Sequence, residues 1–360
     1  MEGRSDGAEN RPRPAFFVSI PPRKEQNLGM SCDGPQQFTV NTLKSGTPGK
    51  GREFQGLFIL QRKEDKTSRH GNPFRRLELA DKTGSFGATL FNDQPLFRES
   101  ETFQEGDILK TSGIVDWFNE AFSPKLQSLE KIPPEEAERR NLIASLVETS
   151  PENPEKLYLE LIQMVESLQP EALRLTVESV FNEYGDRFKN APAAISMHHA
   201  YRHGLLEHTV HMGRAAQALL PIYPEVHPHL AMAGILLHDI GKIEEYEGAL
   251  SFRKSSTGIL HGHVVLGYRA ARKAALRNHL DTDLQERLEH IILSHQGELE
   301  WGAATMAATP EGIFVSMVDN LDAKMGMVQR LLRQKTENQN LSDRHPGLKT
   351  QVLLRPVKEG

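Results

Sequence analysis

The sequence predicts a two-domain chain, a small all-β barrel followed by an all-α domain. Three observations carry that prediction. Short segments rich in β-branched and aromatic residues, separated by turn sequences, fill 52–132. Prolines 133, 134, 151 and 154 then punctuate a charged stretch. From 155 to 335 apolar residues recur at helical spacing. A length of 360 residues accommodates both domains, being more than one compact domain ordinarily needs.

Residues 1–51 are rich in Gly, Pro, Arg, Ser, Asn and Gln, with Phe16, Phe17, Val18 and Ile20 as their compact apolar cluster. Such a composition buries too little to fold, so this stretch is expected to be a disordered extension. Arg11, Arg13, Arg23 and Lys24 would suit an arm over a polyanion, although a tolerated extension is the simpler account.

Five strands are expected next, over 53–60, 74–81, 85–91, 108–115 and 125–129. His70-Gly71-Asn72-Pro73 is a turn sequence, and Asp81-Lys82-Thr83-Gly84 is short enough to close a hairpin. Five strands in about eighty residues, with a longer third connection containing Leu96 and Phe97, is the layout of an OB barrel. Basic and aromatic residues interleave along it: Phe58, Phe74, Arg75, Arg76, Phe86, Phe91, Trp117 and Phe118, with Lys82, Lys110 and Lys125 nearby. A face of that kind can stack bases and track phosphates. A small barrel also needs aromatics inside, which assigns Phe58, Phe86 and Phe91 to packing. Arg75, Arg76, Trp117 and Phe118 remain as the expected nucleic-acid contacts, because adjacent arginines on a strand cannot both point inward.

Residues 133–154 are expected to form a linker, with a short charged helix over 135–140 as a semi-rigid spacer. Leu157, Leu161, Val165 and Leu168 then mark one helix, and Leu173, Val177, Val180 and Phe181 a second that reaches Gly185. The most informative stretch is 230–242. It is apolar on every face until it ends in His238 and Asp239, where helix carbonyls converge and favour a cation, and Gly241 is able to turn the chain afterwards. His208 shares a helical stripe with Leu205, Met212, Ala215 and Leu219, which points it inward. Leu284, Leu288 and Ile291 carry His295 inward in the same way before Gly297 stops that helix. Asp319 ends the apolar run 313–318, and a carboxylate buried there costs several kcal/mol unless it is paired or bound to a metal. Any one of these groups alone suits a core histidine or a helix cap. Together they match the neutral imidazoles and carboxylates that a divalent-metal hydrolase requires. Residues 336–360 are left as a C-terminal tail.

The order His208, His238-Asp239, Asp319 resembles the HD superfamily of metal-dependent phosphohydrolases, an all-helical fold. The stretches 204–209, 236–242, 262–263, 292–297 and 318–325 are similar to bacterial 3′-to-5′ exoribonucleases of the YhaM type, in which an OB-fold precedes the HD-type domain. That resemblance implies metal ligands at His208, His238, Asp239, His263, His295 and Asp319, with His263 preferred over His261. His263 and His295 would serve one ion and His208 the other, with Asp239 between them. Asp239 and Lys242 are the implied catalytic residues; the lysine would stabilise charge on the scissile phosphate besides complementing a helix end. The sequence departs from many relatives at Gln296, where a second histidine is usual, so one or two ions remain open. Asp322 and Lys324 beside Asp319 would suit groups that support the metal ligands from behind, but a solvated helix face is the simpler account of them.

The implied activity is metal-assisted 3′-to-5′ hydrolysis of single-stranded RNA to nucleoside 5′-monophosphates, with single-stranded DNA as a second candidate substrate. Ligands of this kind suit manganese first and cobalt or iron next, whereas magnesium prefers oxygen. Two competing functions are a phosphohydrolase acting on nucleotides or cyclic dinucleotides, and a single-strand-binding protein with an inactive HD domain. A net charge of -5 and a pI near 6.3 give no global footprint for nucleic acid, so the grip must come from stacking and a local groove. The single cysteine, Cys32, excludes an internal disulfide and a thiolate metal cage. With no apolar stretch of about eighteen residues and no signal-like amino terminus, a cytoplasmic protein without a membrane partner is expected. The resemblance adds a homo-oligomer, although no interface is legible.

Overall fold

A computed structural model describes residues 37–119, 121–194, 201–248, 250–335 and 339–357. The basic and apolar residues noted before Gln36, and Cys32, lie outside them. The first element, α1 (Val40–Lys44), is capped by Thr39, whose side chain accepts from the Thr42 amide. Val40 and Leu43 are buried beside Phe58 and Leu60. Residues 37–51 therefore differ from the expected disordered extension: two apolar side chains one helical turn apart are enough to anchor them.

β1 (Glu53–Thr67), β2 (Pro73–Asp81), β3 (Gly84–Phe91), β4 (Ile108–Ile114) and β7 (Lys125–Lys131) form an antiparallel sheet in the order β3-β2-β1-β4-β7. α2 (Pro95–Glu99) lies in the connection after β3, and β5 (Trp117–Phe118) pairs with β6 (Ala121–Phe122) as a separate hairpin. β1 runs beyond the expected 53–60 because its polar second half, which shows no alternation, is held by β2 from Arg62↔Glu78 to Thr67↔Pro73. The β2–β3 hairpin closes as expected on Lys82-Thr83. Asp81 accepts from the Thr83 amide at 2.7 Å with one oxygen and from the Val40 amide at 2.8 Å with the other, tying the turn to α1. Phe54, Phe58, Leu60, Leu77, Leu79, Phe86, Leu90 and Leu109 fill the core of this region.

Both faces of β1 are apolar near Leu57–Leu60, so the outer face needs a cover. α3 (Pro134–Arg139) and α4 (Leu142–Leu146) supply it, burying Ala137, Leu142 and Leu146 against Leu57, Ile59, Ile108 and Ile132. The expected spacer is thus a docked pair of short helices.

The helical region packs α5 (Pro154–Glu166), α6 (Glu171–Asn190), α7 (Gly204–Leu219) and α8 (Pro228–Leu237) with α9 (Lys242–Glu245), α10 (Ser256–Arg277), α11 (Thr282–Ser294) and α12 (Pro310–Gln334). α6 continues through Gly185, past its expected end. Between α9 and α10 stands a hairpin of β8 (Tyr246–Glu247) and β9 (Arg253–Lys254). It leans on the sheet region: Ser251 Oγ donates to the Gln61 carbonyl at 3.1 Å, and Arg253 meets Glu105 at 3.2 Å. Neither region is therefore of one type throughout; the sheet carries helices and the helices carry a hairpin. In the tail, Leu341 bridges Leu353 and Leu354 is buried. Among the described residues, no helix is long and apolar enough to cross a membrane.

Candidate metal centre

α8 is buried from Leu230 to Leu237, so whatever ends it is delivered to the interior. His238 takes the C-cap position and is itself inaccessible to solvent. Its Nδ1–H donates to the Ile235 carbonyl at 2.7 Å, one of the carbonyls a helix end leaves without an intrahelical partner. His295 repeats the device at the end of α11, donating Nδ1–H to the Ile292 carbonyl at 2.7 Å. A carbonyl only accepts, so the donor is fixed. A neutral imidazole held this way presents the lone pair of Nε2.

Gly241, expected to turn the chain, does so with a φ of -64°, which any residue adopts. Its reason is close approach. A Cβ there would fall 2.0 Å from the His263 carbonyl oxygen and 2.5 Å from the Gly267 nitrogen, so only glycine lets α10 cross the α8–α9 turn. α10 is kinked at Gly262, φ 67°, and His263 begins its second segment facing the end of α8.

Around Asp239 the side chains fall into two sets. Oδ2 lies 3.2 Å from His238 Nε2 and 3.7 Å from His208 Nε2, and the latter is 3.3 Å from Asp319 Oδ1. Oδ1 lies 3.5 Å from His295 Nε2 and 3.6 Å from His263 Nε2. His208 and His238 approach each other at 3.2 Å through Nε2. All six expected ligand residues are thus brought together, from α7, α10 and α12 and from the residues just past the ends of α8 and α11. Lys242 is buried with them, Nζ 2.5 Å from Asp239 Oδ2.

The electrostatics belong to a cation site. Burial opposes the charge on Asp239, but Lys242 and His238 outweigh it and hold its carboxyl well below the usual range. Asp319 is likewise held down at about 2 by His208 and His238 against burial. Burial also opposes a charged His208, yet hydrogen bonds to Asp319 and Asp322 push its pKa up to about 10. Its Nδ1 faces Asp322 at 2.7 Å, so that proton sits on Nε2, where a divalent cation would replace it. His263 is pushed down by burial, and its Nδ1–H donates to Glu245 Oε2 at 2.8 Å.

One atom tests the fit. Asp239 Oδ1 is buried and, among the described residues, has no hydrogen-bond partner. An orphaned carboxylate oxygen costs several kcal/mol, and here it faces two imidazole nitrogens that offer it no proton in their neutral form. Two imidazoles and a carboxylate converging on one point are what a divalent transition metal accepts, and both triads, His208/His238/Asp239 and Asp239/His263/His295, fit that description.

The HD domain family matches residues 205–324. The chain is similar to the 3′-5′ exoribonuclease YhaM of Geobacillus sp. (strain WCH70), 30% identical over 290 residues, which cover 80% of this chain and 87% of that protein. It is 29% identical to YhaM of Bacillus velezensis over 79% of this chain and 89% of that one, and 28% identical to YhaM of Bacillus subtilis over the same shares. The chain belongs to the YhaM family. Among solved structures, the second OB-fold domain of replication protein A from Methanococcus maripaludis matches 23% of this chain and 86% of that one at 22% identity. Its TM-score of 0.19 is too low to bear on the fold.

Three further residues join the centre: Asp322 and Gln296, which the sequence had marked without making them ligands, and Glu245, which it had not. Asp322 is no solvated face; it orients His208 and also lies 3.5 Å from His211 Nδ1. Its position one helical turn after Asp319 is a signal that was available. Glu245 is 2% exposed and joins His263 to Lys254, 2.9 Å from Nζ, with no pattern in the sequence to announce it. Gln296 places its amide nitrogen 3.1 Å from His263 Nε2 and 3.0 Å from His295 Nε2.

On the sheet the four expected contacts part company. Arg75 is 5% exposed: its guanidinium donates to Asp65 at 2.6 and 3.0 Å, to the Phe97 carbonyl at 2.9 Å and to Ser100 Oγ at 3.0 Å. It lies 4.8 Å from the Phe97 ring centre. Strand alternation turned this arginine inward, where its partners take four of its five donors, and it is withdrawn as a nucleic-acid contact. Arg76 is exposed and lines a groove of about 710 Å³ with Lys44, Thr89, Trp117 and Phe118. Phe118 is 70% exposed, while Trp117 is partly buried and packs edge-on against Phe122, 5.6 Å between ring centres. Phe58 and Phe86 fill the core as expected, but Phe91 is exposed beside Phe74.

Proposed function

We propose that this chain shortens single-stranded RNA from its 3′ end by metal-assisted hydrolysis, releasing nucleoside 5′-monophosphates. The observation that carries the hydrolytic part is Asp239, whose buried carboxylate faces two imidazoles with each oxygen and leaves Oδ1 without a proton donor. The direction and the RNA substrate are supported by the names of the YhaM relatives.

His208, His238, Asp239 and Asp319 would hold one divalent ion and Asp239, His263 and His295 a second, with manganese the metal best suited to the set. Bound there, such ions lower the pKa of water and neutralise charge on phosphate oxygens. The chain's own part is placement. Ile235, Ile292, Asp322 and Glu245 fix the four imidazole planes through Nδ1. Lys242 keeps a buried positive charge beside Asp239 and is assigned to the negative charge that develops on the phosphate. No protein nucleophile is required. The sheet, taken as an OB-type barrel, would hold the strand in the groove lined by Arg76, Trp117 and Phe118.

Digestion of 5′-labelled single-stranded RNA and DNA under manganese tests this. The wild type should give a ladder shortening from the 3′ end. Asp239→Asn should lower the rate by at least about a thousandfold while binding the oligonucleotide within about twofold of wild type. Nucleotide turnover without decay of RNA, or equal hydrolysis by both proteins, would overturn the proposal.

A further inference from the structure

Gln296 is half-buried just beyond α11, with its amide between two imidazoles. Both rings have committed Nδ1–H elsewhere, His263 to Glu245 and His295 to the Ile292 carbonyl. Their Nε2 lone pairs therefore face the amide, which donates one proton to each at 3.1 and 3.0 Å. The same two nitrogens lie 3.6 and 3.5 Å from Asp239 Oδ1, the carboxylate oxygen that receives no hydrogen bond. The amide thus faces the two imidazole nitrogens of the second ligand set, next to the site they form with Asp239.

An amide nitrogen cannot stay there beside a cation. It offers no lone pair, and its protons repel positive charge. The other end of the same group is a carbonyl oxygen, a ligand that manganese accepts. Oxygen and nitrogen of a primary amide are nearly equal in size, and the torsion that exchanges them has broad, roughly two-fold wells. A half-turn replaces donor by ligand without moving the carbon skeleton.

We propose that Gln296 is a further protein ligand of the ion held by Asp239, His263 and His295, through its side-chain oxygen after a half-turn of the amide. This rests on the metal-centre reading above. The second site then comprises two imidazoles, one carboxylate oxygen and one amide oxygen, a harder set than a histidine at 296 would make. Manganese should consequently gain over zinc relative to a Gln296→His variant.

The test is calorimetric titration of the metal-stripped full chain with manganese chloride alone, paired with elemental analysis of bound manganese. Wild type should take two ions. Gln296→Ala should weaken one of them by about tenfold or more and leave the other within about twofold. Gln296→Glu keeps an oxygen and cannot donate, so it should bind that ion at least as tightly as wild type. Unfolding curves confirm that each variant is folded. Two ions of unchanged affinity in Gln296→Ala, or a Gln296→Glu as weak as the alanine variant, would overturn this ligand alone. A folded wild type that binds no manganese would overturn the metal centre itself.

Discussion

The two regions of the molecule bury charge in opposite ways. In the sheet region, Arg75 goes inside with its complement, and each of its contacts is answered by Asp65, Phe97 or Ser100. In the helical region, His208, His238, Asp239, Lys242 and His295 crowd together, and one carboxylate oxygen is left without a donor. Burial alone does not mark a site. A closed set of partners marks structure, while a convergent set with an orphan marks a place prepared for something else.

The contrast breaks first at Gly241, whose substitution carries the largest expected effect. An added methyl would meet the backbone of His263 and Gly267, which cannot move without separating α10 from the end of α8. Gly241→Ala should destabilise the helical region by about 3 kcal/mol or more and remove the ion that needs His263. Gly262→Ala meets nothing within 4 Å and bears only the strain of φ 67° and ψ 158°, a conformation open essentially to glycine alone, about 1–3 kcal/mol. Thermal unfolding with manganese titration separates them. Equal losses in the two variants would mean that the close crossing at Gly241 is not what positions His263.

The adjacent arginines sharpen the comparison within the sheet. Arg75→Ala leaves Asp65 able to reach water, since its side chain is 64% exposed, but strands Ser100 and the Phe97 carbonyl. It should cost about 1–3 kcal/mol of stability with no change in RNA affinity of the folded protein. Arg76→Ala should do the reverse, keeping the unfolding midpoint and weakening binding, and Phe118→Ala should add about 1–3 kcal/mol per lost stacked base. Fluorescence anisotropy against salt concentration reads the outcome. Weaker binding by folded Arg75→Ala would restore it as a contact.

What the sequence disclosed follows from range. The apolar wrap of α8 was legible because burial on every face needs no partner to be recognised, and so its two polar end residues stood out. The β2–β3 hairpin was legible because its turn chemistry is local. α1 was missed because two buried residues make no periodicity, and the polar half of β1 because its register comes from β2. Alternation required one arginine to turn inward, but which one depended on Asp65 and Ser100, residues 10 and 25 positions away. Gly241 shows the same limit: the residue was singled out, while its cause lies in a helix that begins at Ser256.

The smallest expected effect concerns pH. In metal-stripped protein, His208 sits between Asp319 and Asp322, and His211 between Asp322 and Glu152. Burial opposes both imidazolium charges, yet these carboxylates hold the pKa values up at about 10 and about 9. Raised above the ordinary value of 6.5, they contribute stability that is complete below that pH and lost as pH climbs through 9 and 10. Glu245 and Asp319 are held down at about 2 and stay charged across this window, so they contribute nothing to the slope. The unfolding midpoint in chelator should therefore fall by a few degrees between pH 7 and 10. Asp322→Asn should flatten that fall, since it touches both imidazoles. Manganese should flatten it too, because the cation takes the place of the His208 proton, and its affinity should rise over the same interval. A midpoint that rises with pH in chelator would show that the imidazoles are neutral without metal, and that the carboxylates around them serve another purpose.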